Sequence, residues 1–271
     1  MLRAFGLKGA CALAMAACWW AFGWPRAALP MTLVFAVTCA FFAYGIAHPA
    51  AQFFVPSVTR LPTDANGAAG VAFTFDDGPD PTFTPRVLDV LARYGARATF
   101  FVVGERAEAH PELVRAIAAG GHVLGSHTQT HALSFHAAGV RNARDEVRRG
   151  ADAIARIVGR RPRLFRPPQG VRTPFLRDAL RGLRGDDVVT CVTWTARGLD
   201  ATSTRSDAIV ARLEPHVEHG AILALHDGAG LHGTTDRTPT IEALERLLVV
   251  AKARGLRCVT LAALDESDRA T

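Results

Sequence analysis

Four short runs hold most of the ionisable groups that could do chemistry: Asp76-Asp77-Gly78-Pro79, His127-Thr128-Gln129-Thr130-His131, Arg166-Pro167-Pro168-Gln169-Gly170 and His226-Asp227-Gly228. A carboxylate and two imidazoles spaced i, i+4 make a three-ligand set for a divalent metal with open positions. On one helical turn His127 and His131 would face the same way. The adjacent carboxylates Asp76 and Asp77 point in different directions, so one can ligate while its neighbour stays free. A bound ion lowers the pKa of a water toward ~7, and the free carboxylate can take the proton as that water attacks. Arg166 would keep this carboxylate ionised and oriented, and His226, from the opposite side, would protonate the leaving group. Backbone N–H groups of the Gly- and Pro-rich turns would face a developing oxyanion. The set suits hydrolysis of an amide or ester at a small acyl group.

These runs need a scaffold that brings them to one rim. From Val71 onward, β-like stretches alternate with amphipathic helical ones. The expected strands are Val71–Phe75, Ala98–Val103, His122–Ser126, Arg163–Phe165, Val188–Trp194, Ala221–Leu225 and Arg257–Leu261. The expected helices are Thr84–Tyr94, Glu112–Ala119, Arg144–Val158, Pro174–Leu183, Ser206–Leu213 and Thr240–Ala253. Such alternation implies parallel strands with crossover helices. About seven of them predict an α/β fold, an open or deformed (β/α) barrel, with its chemistry beyond the carboxyl ends of the strands. Five of the seven expected strands run into ionisable groups at that end, Arg197 and Asp200 following the fifth. Among the remaining histidines, His122 is out of phase with His127 and faces the other way. His110, His216, His219 and His232 read as loop or helix-end residues, whereas His136, five residues past His131, is placed to reach a cleft.

The first 48 residues have another character. Ala27 to Ala47 is an uncharged run of 21 residues, long enough to cross a ~30 Å hydrocarbon core. Gly9 to Trp24 is uncharged over 16 residues, with Trp19, Trp20 and Trp24 near its end. Two spans in a hairpin, or a signal peptide followed by one span, both fit, and both attach the protein to a membrane. The expected location is the bacterial inner membrane. Arg3 and Lys8 favour a cytoplasmic N-terminus, after which one span or two would place the domain on opposite sides. The expected organisation is an anchor over residues 1–48, a linker over 49–70, a catalytic domain over 71–264 and a tail over 265–271.

Charge excludes a nucleic-acid partner. The net charge is +6, but the first 60 residues carry Arg3, Lys8, Arg26 and Arg60 and no acid, leaving +2 on the rest. A nucleic-acid binder concentrates its excess charge on the folded domain. The five cysteines show no framework spacing and no C-x-x-C, so neither a disulfide scaffold nor a thiolate zinc site is supported. Cys191 and Cys258, in strand-like runs, read as small hydrophobes.

Thr74-Phe75-Asp76-Asp77-Gly78-Pro79, the H-T-x-x-H of His127 to His131, Arg166-Pro167-Pro168-x-Gly170 and Leu225-His226-Asp227 resemble the ordered motifs of the polysaccharide deacetylase family (the NodB-homology domain, carbohydrate esterase family 4). The resemblance covers roughly Val71 to Leu261. It implies a deformed (β/α) barrel and metal-dependent N- or O-deacetylation of a sugar polymer. It makes Asp76 the general base and Asp77, His127 and His131 the ligands of a divalent metal, zinc first, with cobalt, nickel or manganese as alternatives. It assigns Arg166 to positioning Asp76, and His226 to the general acid, with Asp200 orienting it. The implied partner is an acetylated or formylated amino sugar in a polysaccharide or a lipid-linked glycan. Two positions depart from the pattern. Gln169 stands where an aromatic residue is usual, at a position whose backbone N–H is implicated in the oxyanion hole. In the stretch Trp194 to Ala201, Arg197 and Ala201 replace the first Asp and the final Trp of the usual D-x-x-D-W, and only Asp200 keeps its acid. The altered motif leaves open a non-catalytic, carbohydrate-binding relic of the same fold. A non-haem iron oxygenase lacks its H-x-D…H order and would leave Asp76 without a role.

Overall fold

The structure is a computed structural model that describes residues 12–21, 23, 26, 28–49, 51–62, 70–137, 139–229 and 235–266. Trp24, Cys11, His232, most of the expected tail and residues 63–69 of the expected linker lie outside the described residues. Seven parallel strands, β1 (Ala72–Asp76), β2 (Thr99–Val102), β3 (Val123–Ser126), β4 (Leu164–Phe165), β5 (Thr190–Cys191), β6 (Ala196–Arg197) and β7 (Ile222–His226), form one sheet in the order β5-β4-β3-β2-β1-β7-β6. Two short apolar helices, α1 (Ala12–Ala21) and α2 (Ala28–Ala47), precede them. Around the sheet run α3 (Thr84–Arg93), α4 (Gly104–Ala109), α5 (Pro111–Ala119), α6 (Gly139–Val158), α7 (Pro174–Arg181), α8 (Ser206–Leu213) and α9 (Thr238–Ala253), with α10 (Ala262–Glu266) after them.

The two edge strands are consecutive in the chain. Only residues 192–195 separate β5 from β6, although they lie at opposite ends of the sheet order. Five residue steps reach at most about 18 Å, so the sheet must curl into a barrel that fails to close. Residues 51–61, expected as linker, pack over this seam. Val58 bridges Val192 and Arg60 bridges Ala221, Thr195 Oγ1 donates to the Thr59 carbonyl at 2.7 Å, and Phe54, Val55 and Leu61 are buried.

Strand alternation sorts the two faces of the sheet. Phe73 and Phe75 of β1, with Phe100 and Val102 of β2, face the outer helices, where they meet Leu91, Ile117, Leu244 and Leu248. The opposite face fills the barrel interior with Ala72, Phe101, Leu164, Val192, Ile222 and Leu261. Most of that plug lies toward the strand starts, and Phe101 reaches up to the level of Asp76. Higher on the same face of β1 come Thr74 and Asp76, so the interior turns polar toward the carboxyl ends.

The expected strand Arg257–Leu261 is corrected. It makes a single bridge, Val71 to Cys258, because it meets β1 only at its entry and then turns inward to bury Leu261 and Leu264 in the plug. The seventh strand is Ala196–Arg197, whose polar, Gly-flanked sequence carries no strand signal. Its pairing with Leu223 and Ala224 comes from the neighbouring strand.

The foot of α2 is docked. Phe42 and Ile46 pack against the cluster of Phe54, Phe135 and Leu176. The Arg172 N–H donates to the Ile46 carbonyl at 2.9 Å, and its buried guanidinium donates to the His48 carbonyl and to Ser57 Oγ. The rest of α2 exposes Leu29, Leu33, Phe35 and Val37.

Gly150 of α6 sets the distance between that helix and the His127–His131 loop. A Cβ there would stand 2.5 Å from the Thr128 carbonyl oxygen and 2.8 Å from Ser126 Oγ. Gly150→Ala should therefore destabilise by about 1–3 kcal/mol through overpacking, although a helix interior otherwise gains about 1 kcal/mol from that change. Urea denaturation reads the sign, and an equally stable variant would show that this contact does not hold the helix against the loop.

Candidate active site

Asp76 and His226 are register partners at the ends of adjacent strands β1 and β7. Beyond them the strand ends enclose a cavity of about 240 Å³ lined by Asp76, Asp77, His127, His131 and His226, with Gln169, Trp194, Arg197 and Leu199 around its walls. The ends of β1 and of β3 to β7 thus contribute to one space.

His127 and His131 meet, but not by the helical turn expected of their spacing. The run between them is a loop in which Thr128 and His131 take left-handed conformations (φ 70° and 53°). The His131 N–H donates to Thr128 Oγ1 at 3.1 Å, and Thr130 is pinned to Glu146 of α6 through both N and Oγ1 at 3.0 Å. The imidazole centroids lie 4.9 Å apart. Asp77 is also left-handed (φ 70°), which turns its side chain away from that of Asp76 and toward the two imidazoles.

Asp77 Oδ1 lies 3.4 Å from His127 Nε2 and 3.1 Å from His131 Nε2. The Nδ1 of His127 is 2.7 Å from the Arg166 carbonyl. A carbonyl only accepts, so Nδ1 carries the hydrogen and Nε2 presents a lone pair to the carboxylate. Burial, then the neighbouring His127, push His131 down to about 4 against the pull of Asp77, so the His131 imidazole is neutral at pH 7. Burial opposes ionisation of Asp77, yet the close approach of His127, with His226 and His131 nearby, holds its carboxyl well below the usual range. Lone pairs converge within 4.8 Å, and the buried Asp77 Oδ1 has no hydrogen-bond donor among the described residues. A divalent cation fits this donor set, because it satisfies the orphaned oxygen and both imidazole nitrogens together.

Asp76 faces a different partner. Arg166, fully buried, donates from Nη1 to Asp76 Oδ1 at 2.7 Å and to Thr74 Oγ1 at 2.8 Å, and from Nη2 to the Thr193 carbonyl at 2.7 Å. Its guanidinium carbon stands 4.1 Å from the centre of the Phe101 ring, which joins the cation to the interior plug.

At the end of β7, Asp200 accepts from the His226 backbone N–H and faces its Nδ1, both at 2.9 Å. Thr240 Oγ1 donates to Asp200 at 2.9 Å, and Arg237 donates to the Asp200 carbonyl at 3.0 Å. Burial works against a charged His226, but Asp200, then Asp77 and Asp76, raise it to about 9. It is protonated through neutral pH.

Several supporting residues have no role assigned from the sequence. Arg106 donates to the Asp77 and Ala229 carbonyls and ties the first and last motif turns together. Asp227 packs its carboxyl on Gly78, where a Cβ would stand 2.2 Å away, and accepts from Thr84 Oγ1 at 2.6 Å. Only the requirement that buried carbonyls and carboxylates find donors could have pointed to such residues. His136 does not line the cavity; its ring packs on Phe135. His122 Nδ1 accepts from the Ala98 N–H at 3.1 Å and is structural. Burial pushes the Cys191 thiol up to about 12, which leaves it a hydrophobe.

Residues 64–184 match the family model described as polysaccharide deacetylase. A peptidoglycan-N-acetylglucosamine deacetylase of Bacillus cereus is 35% identical over 72% of this chain and 87% of its own length. The chain belongs to the polysaccharide deacetylase family. Another similar protein of the family, a chitooligosaccharide deacetylase of Sinorhizobium fredii, is 38% identical over 72% of this chain and 91% of its own. Among solved structures, a peptidoglycan N-acetylglucosamine deacetylase in complex with 4-naphthalen-1-yl-N-oxidanyl-benzamide superposes with a TM-score of 0.66 at 29% identity, covering 76% of this chain and 91% of that one. Polysaccharide deacetylases are metal-dependent amide hydrolases, and Asp77, His127 and His131 form a group that could hold such a metal.

His127→Ala should lose bound zinc to a greater extent than the roughly 10–100-fold drop in affinity that follows removal of an outer partner. Titration with zinc at neutral pH measures this, and retained stoichiometric binding would show that the ion is held elsewhere.

Proposed function

We propose that this protein removes acetyl or formyl groups from an amino sugar in a polysaccharide or a lipid-linked glycan, with Asp76 as general base and His226 as general acid. The observation that carries the reading is what the ends of β1 and β7 bring together: a carboxylate held ready by Arg166 beside the metal donors, and a protonated imidazole as its register partner. A divalent ion, zinc by donor type, supplies Lewis-acid polarisation and lowers the pKa of water in the site. Asp77, His127 and His131 would hold it.

The chain's own residues then have separate tasks. Arg166 orients Asp76 so that its second oxygen is free to accept a proton from the attacking water. The backbone N–H of Gln169, at the cavity wall in a left-handed turn (φ 54°), is assigned to the developing oxyanion. His226 gives its proton to the departing amine, and Asp200 is the positioning residue that keeps it charged and aimed. A binding relic would have no use for base, acid and metal donors kept in register. That argument favours catalysis over the non-catalytic alternative.

Asp76→Asn should reduce acetate release from N-acetylglucosamine oligomers by about 10²–10⁴-fold, with zinc binding retained. In the wild type, rate should fall as pH rises through about 9 and His226 loses its proton, a bound cation drawing that limb lower. Asp200→Asn should move the limb toward the ordinary histidine value. An unchanged alkaline limb in this variant would remove His226 from the acid role.

We also propose that α2 anchors the domain to the inner membrane. Its 20 residues carry no charge and, apart from the docked foot, are mostly exposed, as a lipid-facing helix requires, and α1 contributes a second, shorter apolar stretch. The proposed organisation is this anchor followed by a catalytic domain whose fold takes in the seam-covering segment from residue 51. A C-terminal alkaline phosphatase fusion should be active if one span places the domain outside, and silent if a hairpin returns it to the cytoplasm. Recovery of the fusion in the soluble fraction would refute the anchor.

A further inference from the structure

The wall occupied by His226 carries a second cation. Arg197 lies at the end of β6, paired with Ala224, two residues before His226 on β7, ~7 Å along the strand and about the breadth of a sugar ring. It lines the same cavity as the metal donors. Its guanidinium carbon stands 5.5 Å from the centre of the Trp194 ring, which steadies the side chain against the cavity wall.

Every carboxylate around it is engaged with another group. Asp76 is held by Arg166, Asp77 faces the two imidazoles, and Asp200 is hydrogen-bonded to His226 and Thr240. Among the described residues no acid pairs with Arg197. A planar guanidinium on an aromatic ring, with its fork open to a cavity, is built to take a carboxylate or phosphate by paired hydrogen bonds. The small Ala201 and Thr202 beside it leave room for such a group. The resemblance has an acid at this position, so this chain reverses the charge of one cavity wall.

We infer that Arg197 is a specificity residue that selects an amino sugar bearing an anionic substituent, a carboxylate or a phosphate, next to the acylated nitrogen. The inference rests on the deacetylase reading and narrows its substrate class. Arg197 binds the oxyanions of that substituent while the acyl group sits at the metal donors. A neutral sugar leaves the guanidinium facing water.

The test compares three probes in the holoenzyme: a neutral N-acetylglucosamine oligomer, an oligomer containing N-acetylmuramic acid as the carboxylate, and N-acetylglucosamine 1-phosphate. Wild-type kcat/KM should favour one anionic probe over the neutral one by tenfold or more, and the preferred anion identifies the source. Arg197→Ala should collapse this ratio through KM, Arg197→Lys should keep part of it, and Arg197→Glu should invert it. Because the ratio is taken within each variant, loss of folded protein cancels. Equal rates on neutral and anionic probes in the wild type, or an unchanged ratio in Arg197→Ala, would overturn the inference and leave deacetylation standing. Absence of acetate release from all three would instead sink the deacetylase reading itself.

Discussion

Arg166 is the residue through which the two halves of the chemistry are joined. Its side chain holds Asp76, and its backbone carbonyl fixes His127 with the lone pair of Nε2 turned inward. A charge buried this completely is costly unless it is paired and hydrogen-bonded. Here Asp76, Thr74, the Thr193 carbonyl and the Phe101 ring share the task, while burial pulls its pKa down and Asp76 pulls it up. The polar level of the barrel is therefore built directly on the apolar plug below it. Any shift of β4 against β1 would move the proposed base and a metal donor together.

At the end of β7 the arrangement is the electrostatic complement. Asp200 is the counter-charge of His226, and Arg237 and Thr240 fix Asp200 from α9 and the loop before it. Two titratable groups are pushed in opposite directions within one space, His131 toward neutrality and His226 toward charge. The neutral one suits a metal ligand and the charged one a proton donor. The difference comes from neighbours: His131 sits near another imidazole and Arg106, and His226 against a fully buried carboxylate.

The N-terminal segment is more than a tether. Residues 51–61 cover the seam that the open barrel leaves between β5 and β6, and Arg172 fastens the foot of α2 to the loop after β4. The cluster that receives Phe42 and Ile46 includes Phe135, which follows the His131 loop. The foot of α2 and the cavity rim thus share one apolar cluster, which fixes the helix against the domain.

The residue types proposed for the chemistry were legible in the sequence, and so was their gathering at one rim. The β-α alternation dictates parallel strands, and parallel strands put their carboxyl ends together. Asp76, Asp77, His127, His131, Arg166, Asp200 and His226 all reach one neighbourhood on that rule. What the sequence did not show depends on contacts between residues remote in the chain. The His127–His131 pair is set by left-handed turns pinned to Glu146 and spaced by Gly150, and no local periodicity records such a clamp. The seventh strand is Ala196–Arg197, which has no strand character of its own and pairs because β7 offers its edge. The same pairing carries Arg197 into the cavity. Tertiary structure decided these points because free hydrogen-bonding groups, not propensity, choose the conformation of short polar segments.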